Sequence, residues 1–334
     1  MSSATSRAIS RRDTLALATL AGAAALTPGP AQAKTWTIAF VPKLIGIPYF
    51  NAMKQGLDRG AKDFGATIIY QGPTTASVEG QDEIVQSLIN RHLDAVGVSA
   101  NSPTALEPLA AKAAKEGVVF YSSDSQVDGP NVALRVEQTD PRQLAYTVID
   151  QLADQVGKSG DVAFVSGGPT ATNLNIWIGY MKDRLAAKYP GLKLVSIQYA
   201  GENISQATTV TSQLLSAYPH LKGVVGVNST AVPGAAQAVL TAGLSGKVTV
   251  TGITDPNTIR PYVKNGTVKS VVLWNPVDLA YLTVWGVVQI LEKKPFSAEN
   301  NVPNLHTVKY FPTTKSLLLG PPMVVTKENV DLNF

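Results

Sequence analysis

Short apolar runs alternate with longer amphipathic stretches from Trp36 onward. This alternation is typical of βαβ units, in which helices cover both faces of a parallel sheet. The runs predict strands at 37–41, 66–70, 95–98, 118–121, 132–136, 162–166, 192–198, 223–227, 248–252 and 270–273. The amphipathic stretches predict helices that include 48–64, 77–91, 104–117, 141–156, 172–189, 204–217, 231–240 and 276–292.

The strand–helix units fall into two series, one ending before Thr139 and one beginning at Asp161. Each series can bury its own core, so the pattern predicts an α/β protein with two doubly wound parallel-sheet lobes. The Pro-rich tail begins no new series, and we expect it to wrap back across both lobes. The predicted crossings lie near Thr139, Trp274 and Tyr310. The predicted division places 34–139 with 275–309 in one lobe, and 140–274 with 310–334 in the other.

Polar or Gly/Pro turns follow most of the predicted strands. Ligands of open parallel sheets bind outside the carboxyl ends of the strands, where such turns lie. The sequence therefore predicts a binding crevice formed by these turns. They are residues 42–48, 99–103, 122–124, 166–170, 228–230 and 254–257.

Residues 1–33 are predicted to be an export signal. A basic stretch ending in Arg11-Arg12 precedes an apolar core at 14–20 that is too short to span a bilayer, and Ala31-Gln32-Ala33 forms a cleavage site. The paired arginines resemble a twin-arginine signal. We expect cleavage after Ala33 and a periplasmic protein. A mitochondrial presequence or a frayed terminus is the alternative.

Charge and composition exclude several classes of function. The net charge of +4 falls to about +2 without the signal, which is not the balance of a nucleic-acid-binding protein. The absence of cysteine excludes disulfides, thiolate metal sites and a cysteine nucleophile. His92, His220 and His306 have no metal-ligand spacing. The sequence therefore predicts no metal and no cofactor.

Several motifs together resemble the type I periplasmic sugar-binding proteins, in particular the branch that includes rhamnose-binding and autoinducer-2-binding receptors. The resemblance covers the chain from Thr37 to Phe334. It implies a periplasmic binding protein type I fold with a three-segment hinge, a small neutral sugar as ligand, the permease of an ABC importer as partner, and a monomer. The motifs are residues 41–50, 72–74, Asp124, 169–173, 232–238, 256–263 and 273–275.

The resemblance also implies which residues line the cleft. These are Lys43, Asp124, Asn173, Leu174, Pro233 and Ala235, with Tyr49, Phe50 and Trp274 beside them. The autoinducer-2 receptors have an Asp-Gln pair where this chain has Asn173-Leu174, and an acid where it has Asn275. These departures favour a plain sugar over autoinducer-2.

The residue chemistry supports the same interpretation. Sugar hydroxyls are donors and acceptors at once, and their C–H faces pack on aromatic rings. Tyr49, Phe50 and Trp274 provide rings. The polar candidates are Lys43, Asp124, Asn173, Asp255 and Asn275.

Each candidate has a structural alternative. Asp124, Asp255 and Asn275 could be helix caps, and Lys43 could be a solvated loop charge. Phe50 and Trp274 could be core or hinge packing, and for the other tryptophans (Trp36, Trp177 and Trp285) a structural role is the favoured interpretation. The loop Gly167-Gly168-Pro169 could cradle a phosphate. However, it lacks the GxGxxG and Walker patterns, and its proline removes a backbone donor.

Three other functions compete with solute capture. An enzyme is disfavoured because no GxSxG elbow, metal cluster or cysteine is present. A sugar-responsive repressor would carry a helix-turn-helix where this chain has its predicted export signal. A receptor that hands its ligand to a signalling partner cannot be separated from an importer by sequence. The predicted function is capture of a rhamnose-like sugar for import, with autoinducer-2 or another pentose, hexose or polyol as the alternative ligand.

Overall fold

The polypeptide forms two main β-sheets, an eight-stranded one that is mostly parallel and a four-stranded one that is all parallel, each with helices on both faces. The computed structural model describes residue 1 and residues 34–332, so the predicted export signal lies outside the described residues. The strands are β1 (Trp36–Val41), β2 (Ala66–Tyr70), β3 (Ala95–Val98), β4 (Val119–Ser123), β5 (Leu134–Glu137), β6 (Ser159–Ser166), β7 (Gly191–Tyr199), β8 (Leu221–Gly226), β9 (Thr249–Gly252), β10 (Ser270–Leu273), β11 (Glu299–Asn301), β12 (Thr307–Phe311), β13 (Ser316–Leu318) and β14 (Met323–Thr326). The helices are α1 (Pro48–Phe64), α2 (Val78–Asn90), α3 (Glu107–Lys115), α4 (Pro141–Val156), α5 (Thr172–Lys188), α6 (Ile204–Ala217), α7 (Ala231–Thr241), α8 (Pro256–Lys264) and α9 (Pro276–Leu291).

The first sheet has the strand order β11-β12-β13-β5-β4-β3-β1-β2. Strands β1 to β5 and β13 run parallel, and β12 and β11 add an antiparallel edge. Alternate residues of β1 serve opposite faces, as the two-residue period of a strand requires. Ile38 and Phe40 pack with α1 and α9, whereas Ala39 and Val41 pack with α2 and α3. Both faces are therefore apolar and covered.

The second sheet has the order β7-β6-β8-β9, all parallel. Strand β10 lies next to β9 through two isolated parallel bridges and pairs antiparallel with β14. Ala163 and Val165 of β6 pack with α6 and α7. Val162 and Phe164 face the other way, toward α4 and α5.

Proline and a preceding polar residue start several of the helices. Asp140, Asp255 and Asn275 each accept backbone N–H groups at the start of α4, α8 and α9, and a proline follows each of them at the first helical position. Helices α1 and α9 approach closely at Gly56 and Gly60 of α1. A Cβ on Gly56 would lie 2.0 Å from the Val277 carbonyl oxygen, so only glycine fits there.

The predicted α/β class with two parallel-sheet lobes is confirmed. All ten predicted strands and all eight predicted helices are present, with ends shifted by no more than a few residues. The predicted helices did not include α8, a nine-residue helix that begins at Pro256. The sequence pattern also did not resolve β11 to β14, which are three to five residues long.

The tail of the chain departs from the predicted division. We expected the third crossing near Tyr310, with residues 310–334 in the second lobe. Instead β13 pairs with β5, so the chain stays in the first sheet until Leu318. Leu317 explains this, because its side chain is fully buried and packs beside Gly286 of α9. The rest of the division into lobes stays a prediction.

Candidate functional site

A small cavity of about 30 Å³, measured as the space open to the centre of a water-sized sphere, lies between the carboxyl ends of the strands of the two sheets. Turns after β1 and β4 of the first sheet and after β7, β8 and β9 of the second contribute to its wall, together with the starts of α1 and α5. The lining residues are Lys43, Ile47, Tyr49, Phe50, Asp124, Asn173, Leu174, Trp177, Glu202, Asn228, Ser229, Ile253, Leu273 and Trp274.

Asp124 is held in the wall by strained backbone and two hydroxyl donors. It follows β4 directly, has a left-handed φ of 70° and is 3% exposed. Its Oδ1 accepts from the Tyr49 hydroxyl at 2.8 Å, and its Oδ2 accepts from Ser99 Oγ at 2.6 Å. No helix follows it, so the helix-cap alternative is wrong for this residue. Each carboxylate oxygen keeps a further lone pair for a ligand.

Four aromatic rings form the apolar part of the wall. Tyr49 packs edge-on against Phe50 at 5.2 Å and against Trp274 at 6.0 Å between ring centroids, and Trp177 lies 5.7 Å from Trp274. Trp274 Nε1 donates to the Tyr49 hydroxyl at 3.2 Å. Burial, and then the carboxylate of Asp124, raise the pKa of Tyr49 well above its ordinary value, so this hydroxyl stays a neutral donor.

Lys43 is a buried cation that reaches from the first sheet to the second. Its side chain leaves the turn after β1, is buried, and donates from Nζ to Asn173 Oδ1 at 2.9 Å. The same nitrogen lies 3.9 Å from Glu202 Oε1. The solvated-charge alternative is therefore wrong. Two N–H donors of the ammonium group remain for another partner.

Glu202 and Asn228 belong to the wall but were not among the predicted site residues. Glu202 follows β7, and its Oε2 accepts from Asn228 Nδ2 at 2.5 Å. Burial raises the pKa of Glu202, and the charge of Lys43 opposes that rise. The available signal was position, because each residue stands in a turn after a parallel strand. Trp177, which the sequence favoured as structural, also faces the cavity.

Two predicted polar site residues are helix caps instead. Asp255 Oδ1 accepts from the backbone N–H of Thr258 at 2.8 Å, and both of its oxygens accept from the Thr258 hydroxyl. Asn275 Oδ1 accepts from the N–H groups of Val277 and Asp278. Neither residue lines the cavity. Their side chains are turned toward the helices that follow, and a contact of either residue with a ligand stays a prediction.

Pro233 and Ala235 also do not line the cavity. Both lie inside α7, and Ala235 is fully buried in the core on one face of the second sheet. The wall is formed by the turn before that helix, at Asn228 and Ser229. A contact of Pro233 or Ala235 with a ligand stays a prediction. The seven other predicted residues, Lys43, Tyr49, Phe50, Asp124, Asn173, Leu174 and Trp274, meet at the cavity.

Within residues 34–332, no cluster of three or more metal-ligating side chains occurs. None of the helices in that range is long and apolar enough to cross a membrane.

Comparison with known proteins gives a family match. Residues 38–295 match the sequence profile of the periplasmic binding protein domain. The chain is similar to a D-ribose/D-allose-binding protein of Pseudomonas aeruginosa, at 28% identity over 69% of this chain and 74% of the relative.

Solved structures agree with the family match. The chain is similar to an ABC transporter solute-binding protein of Clostridium phytofermentas with bound L-rhamnose, at a TM-score of 0.85 and 27% identity over 90% of this chain and 98% of that one. Its fold also resembles that of LsrB from Clostridium saccharobutylicum in complex with AI-2, at a TM-score of 0.83 and 24% identity over 89% of this chain and all of that one. At that identity the second likeness concerns the fold alone.

Proposed function

We propose, since the chain belongs to the family of periplasmic binding proteins, that it captures a small neutral sugar in the cavity and delivers it to the permease of an ABC importer. Binding and release need no catalytic group, which agrees with a family of transport proteins rather than enzymes.

The observation that carries the proposal is the composition of the cavity wall. Aromatic rings of Tyr49, Phe50, Trp177 and Trp274 line the same cavity as buried ionic and amide groups. This combination suits a polyhydroxylated ring, whose C–H faces pack on aromatic rings while its hydroxyls need polar partners.

The unused hydrogen-bonding capacity of the wall points the same way. Lys43 has two free N–H donors and the Asn173 amide has two, while Asp124 has two free lone pairs. A ligand must bring hydrogen-bond acceptors to Lys43 and Asn173, and hydrogen-bond donors to Asp124. Vicinal hydroxyls can do both.

Leu174 makes a rhamnose-like deoxy-sugar the favoured ligand. It is buried in the wall beside Asn173, and an apolar side chain there suits a methyl group or a C–H face. A hydroxyl left without a partner against it would cost about 1–3 kcal/mol. The bound L-rhamnose of one similar structure and the D-ribose/D-allose name of one relative are consistent with a neutral monosaccharide. Autoinducer-2 is the runner-up.

Contacts between the turns of the two sheets support capture by closure. Lys43 binds Asn173, Thr170 Oγ1 donates to the Asn101 carbonyl at 2.8 Å, and Thr172 Oγ1 donates to the Gln126 carbonyl at 3.2 Å. All three link turns that follow strands of the first sheet to the segment between β6 of the second sheet and the start of α5. We propose that they form when the two lobes close on the sugar. We also propose that the protein is exported and acts as a monomer.

A thermal-shift screen tests the proposal. The panel contains L-rhamnose, D-allose, D-ribose, a polyol and autoinducer-2, each at millimolar concentration. A sugar present at 100 times its dissociation constant adds about 2.7 kcal/mol of stability, which raises the melting temperature by several degrees. A rise with a neutral sugar supports the proposal. Stabilisation by autoinducer-2 alone would show that autoinducer-2, not a neutral sugar, is the ligand. If no compound of the panel stabilises the protein, the proposed function is overturned.

A further inference from the structure

Glu202 is a buried carboxylate that accepts a hydrogen bond on one of its two oxygens only. It is 6% exposed, and its Oε2 accepts from Asn228. Its Oε1 receives no hydrogen bond from any residue of the range 34–332. The ammonium group of Lys43 lies 3.9 Å away, beyond hydrogen-bonding distance. This oxygen is accessible from the cavity that Glu202 lines, so it can accept a hydrogen bond from a group that enters the cavity.

The surrounding fold is built to hold the carboxylate in this position. Glu202 has a left-handed φ of 59°, an uncommon conformation for a residue with a side chain. A Cβ on Gly167 would lie 2.5 Å from Glu202 Oε1, so a side chain there would displace the carboxylate from this position. The neighbouring Gly168 has open space around it. The Gly167-Gly168-Pro169 loop thus accommodates a protein carboxylate, which also argues against a phosphate there.

The two acidic residues of the wall differ in what they still lack. Asp124 comes from the first sheet, and each of its oxygens already accepts one hydroxyl of the protein. Glu202 comes from the second sheet, and its Oε1 accepts none. An ionised carboxylate can only accept hydrogen bonds. A ligand in the cavity can therefore donate to Glu202 Oε1.

We propose that Glu202 is a specificity-determining residue, whose Oε1 accepts a hydroxyl of the bound sugar on the second-sheet side of the cavity. This inference rests on the proposed function and deepens it. It requires a ligand with at least two hydroxyl donors, one for Asp124 and another for Glu202. A sugar in which the second hydroxyl is absent or methylated leaves Oε1 unpaired and binds weakly.

Calorimetric titration of Glu202→Gln tests the proposal. Glutamine keeps the shape but loses the charge that strengthens the hydrogen bond, so the affinity for L-rhamnose, or for whichever panel sugar the unchanged protein binds, should fall about tenfold. The matched control Glu83→Gln removes an exposed carboxylate of α2 and should leave the affinity unchanged.

Titration with single-deoxy derivatives of the bound sugar extends the test. One derivative should bind the unchanged protein at least tenfold more weakly than the parent sugar, and Glu202→Gln should weaken it little further.

The adjacent glycines provide a second, independent pair of variants. Gly167→Ala should displace the carboxylate and lower affinity about tenfold, whereas Gly168→Ala should not change it. Melting temperatures without sugar check that each variant folds. If Glu202→Gln does not fold, the difference in sugar affinity between Gly167→Ala and Gly168→Ala tests the role of the carboxylate.

Undiminished sugar affinity in Glu202→Gln and Gly167→Ala, with a sugar that the unchanged protein binds, would overturn this inference and leave the proposed function standing. If the unchanged protein binds no sugar of the panel, the proposed function fails, and this inference fails with it.

Discussion

Asp124 and Asp255 share the same sequence context and have different roles in the structure. Each comes at the end of a buried apolar strand region, in a polar turn where a ligand site is expected. Asp124 faces the cavity and holds hydroxyls of Tyr49 and Ser99. Asp255 lies outside the cavity wall and binds Thr258 at the start of α8.

The residues that follow each aspartate cause the difference. Pro256 pre-sets the first turn of a helix, and Thr258 presents both a backbone N–H and a hydroxyl to Asp255. No helix begins after Asp124, whose left-handed backbone instead leads into an irregular segment before β5. A carboxylate at a strand end is therefore available to a ligand only when no helix start uses it.

Asp124→Asn tests the binding half of this comparison and should have the largest effect. Asparagine places an NH₂ group where Tyr49 or Ser99 now donates, and it removes the charged acceptor for ligand hydroxyls. We expect a loss of sugar affinity of about 100-fold, or about 2.7 kcal/mol. Titration of Asp255→Asn is the matched control and should give an unchanged dissociation constant. Equal losses in both variants would contradict the distinction.

The sequence predicted the ten strands of both series because their apolar runs and the intervening helix periods are unambiguous. The resemblance to a known family placed Lys43, Tyr49 and Asp124 at one site, and the convergence of the carboxyl ends of parallel strands supported this for the turns that hold Lys43 and Asp124. The sequence could not separate caps from ligand groups, since that depends on side-chain direction. Glu202 was missed for a similar reason, because its turn holds a single acidic residue and its pairing with Asn228 is visible only in three dimensions.

Glu137 is a third carboxylate at the end of a strand, and it can be compared with Asp124 and Asp255. It ends β5, and burial raises its pKa to about 7, a rise also favoured by Asp124 and opposed by Gln126 and Arg135. Because the folded state holds this proton more tightly than the unfolded state, stability should fall as pH rises from about 4.5 to 7.

Glu137→Gln should remove that part of the pH dependence. Relative to the unchanged protein, we expect a gain of about 1–2 kcal/mol in unfolding free energy at pH 8 and little change at pH 4.5, measured by denaturant unfolding at both values. The same difference at both pH values would show that Glu137 is not titrating in this window.

Asp255→Ala tests the capping half and should have the smallest effect. Loss of the cap should lower the unfolding free energy by about 1 kcal/mol and leave sugar affinity unaltered. Thermal unfolding without ligand measures the first quantity, and titration measures the second. Weakened sugar binding with unaltered stability would show that Asp255 contacts the ligand and does not stabilise the protein as a helix cap.

Capture of a neutral sugar between the two sheets is most directly tested by calorimetric titration of the unchanged protein and Asp124→Asn with L-rhamnose, D-allose and autoinducer-2. Our proposal predicts saturable binding of one sugar per chain, tightest for L-rhamnose, with about 100-fold weaker binding by the variant. Tight binding of autoinducer-2 with no response to either sugar, or undiminished sugar binding by Asp124→Asn, would contradict it.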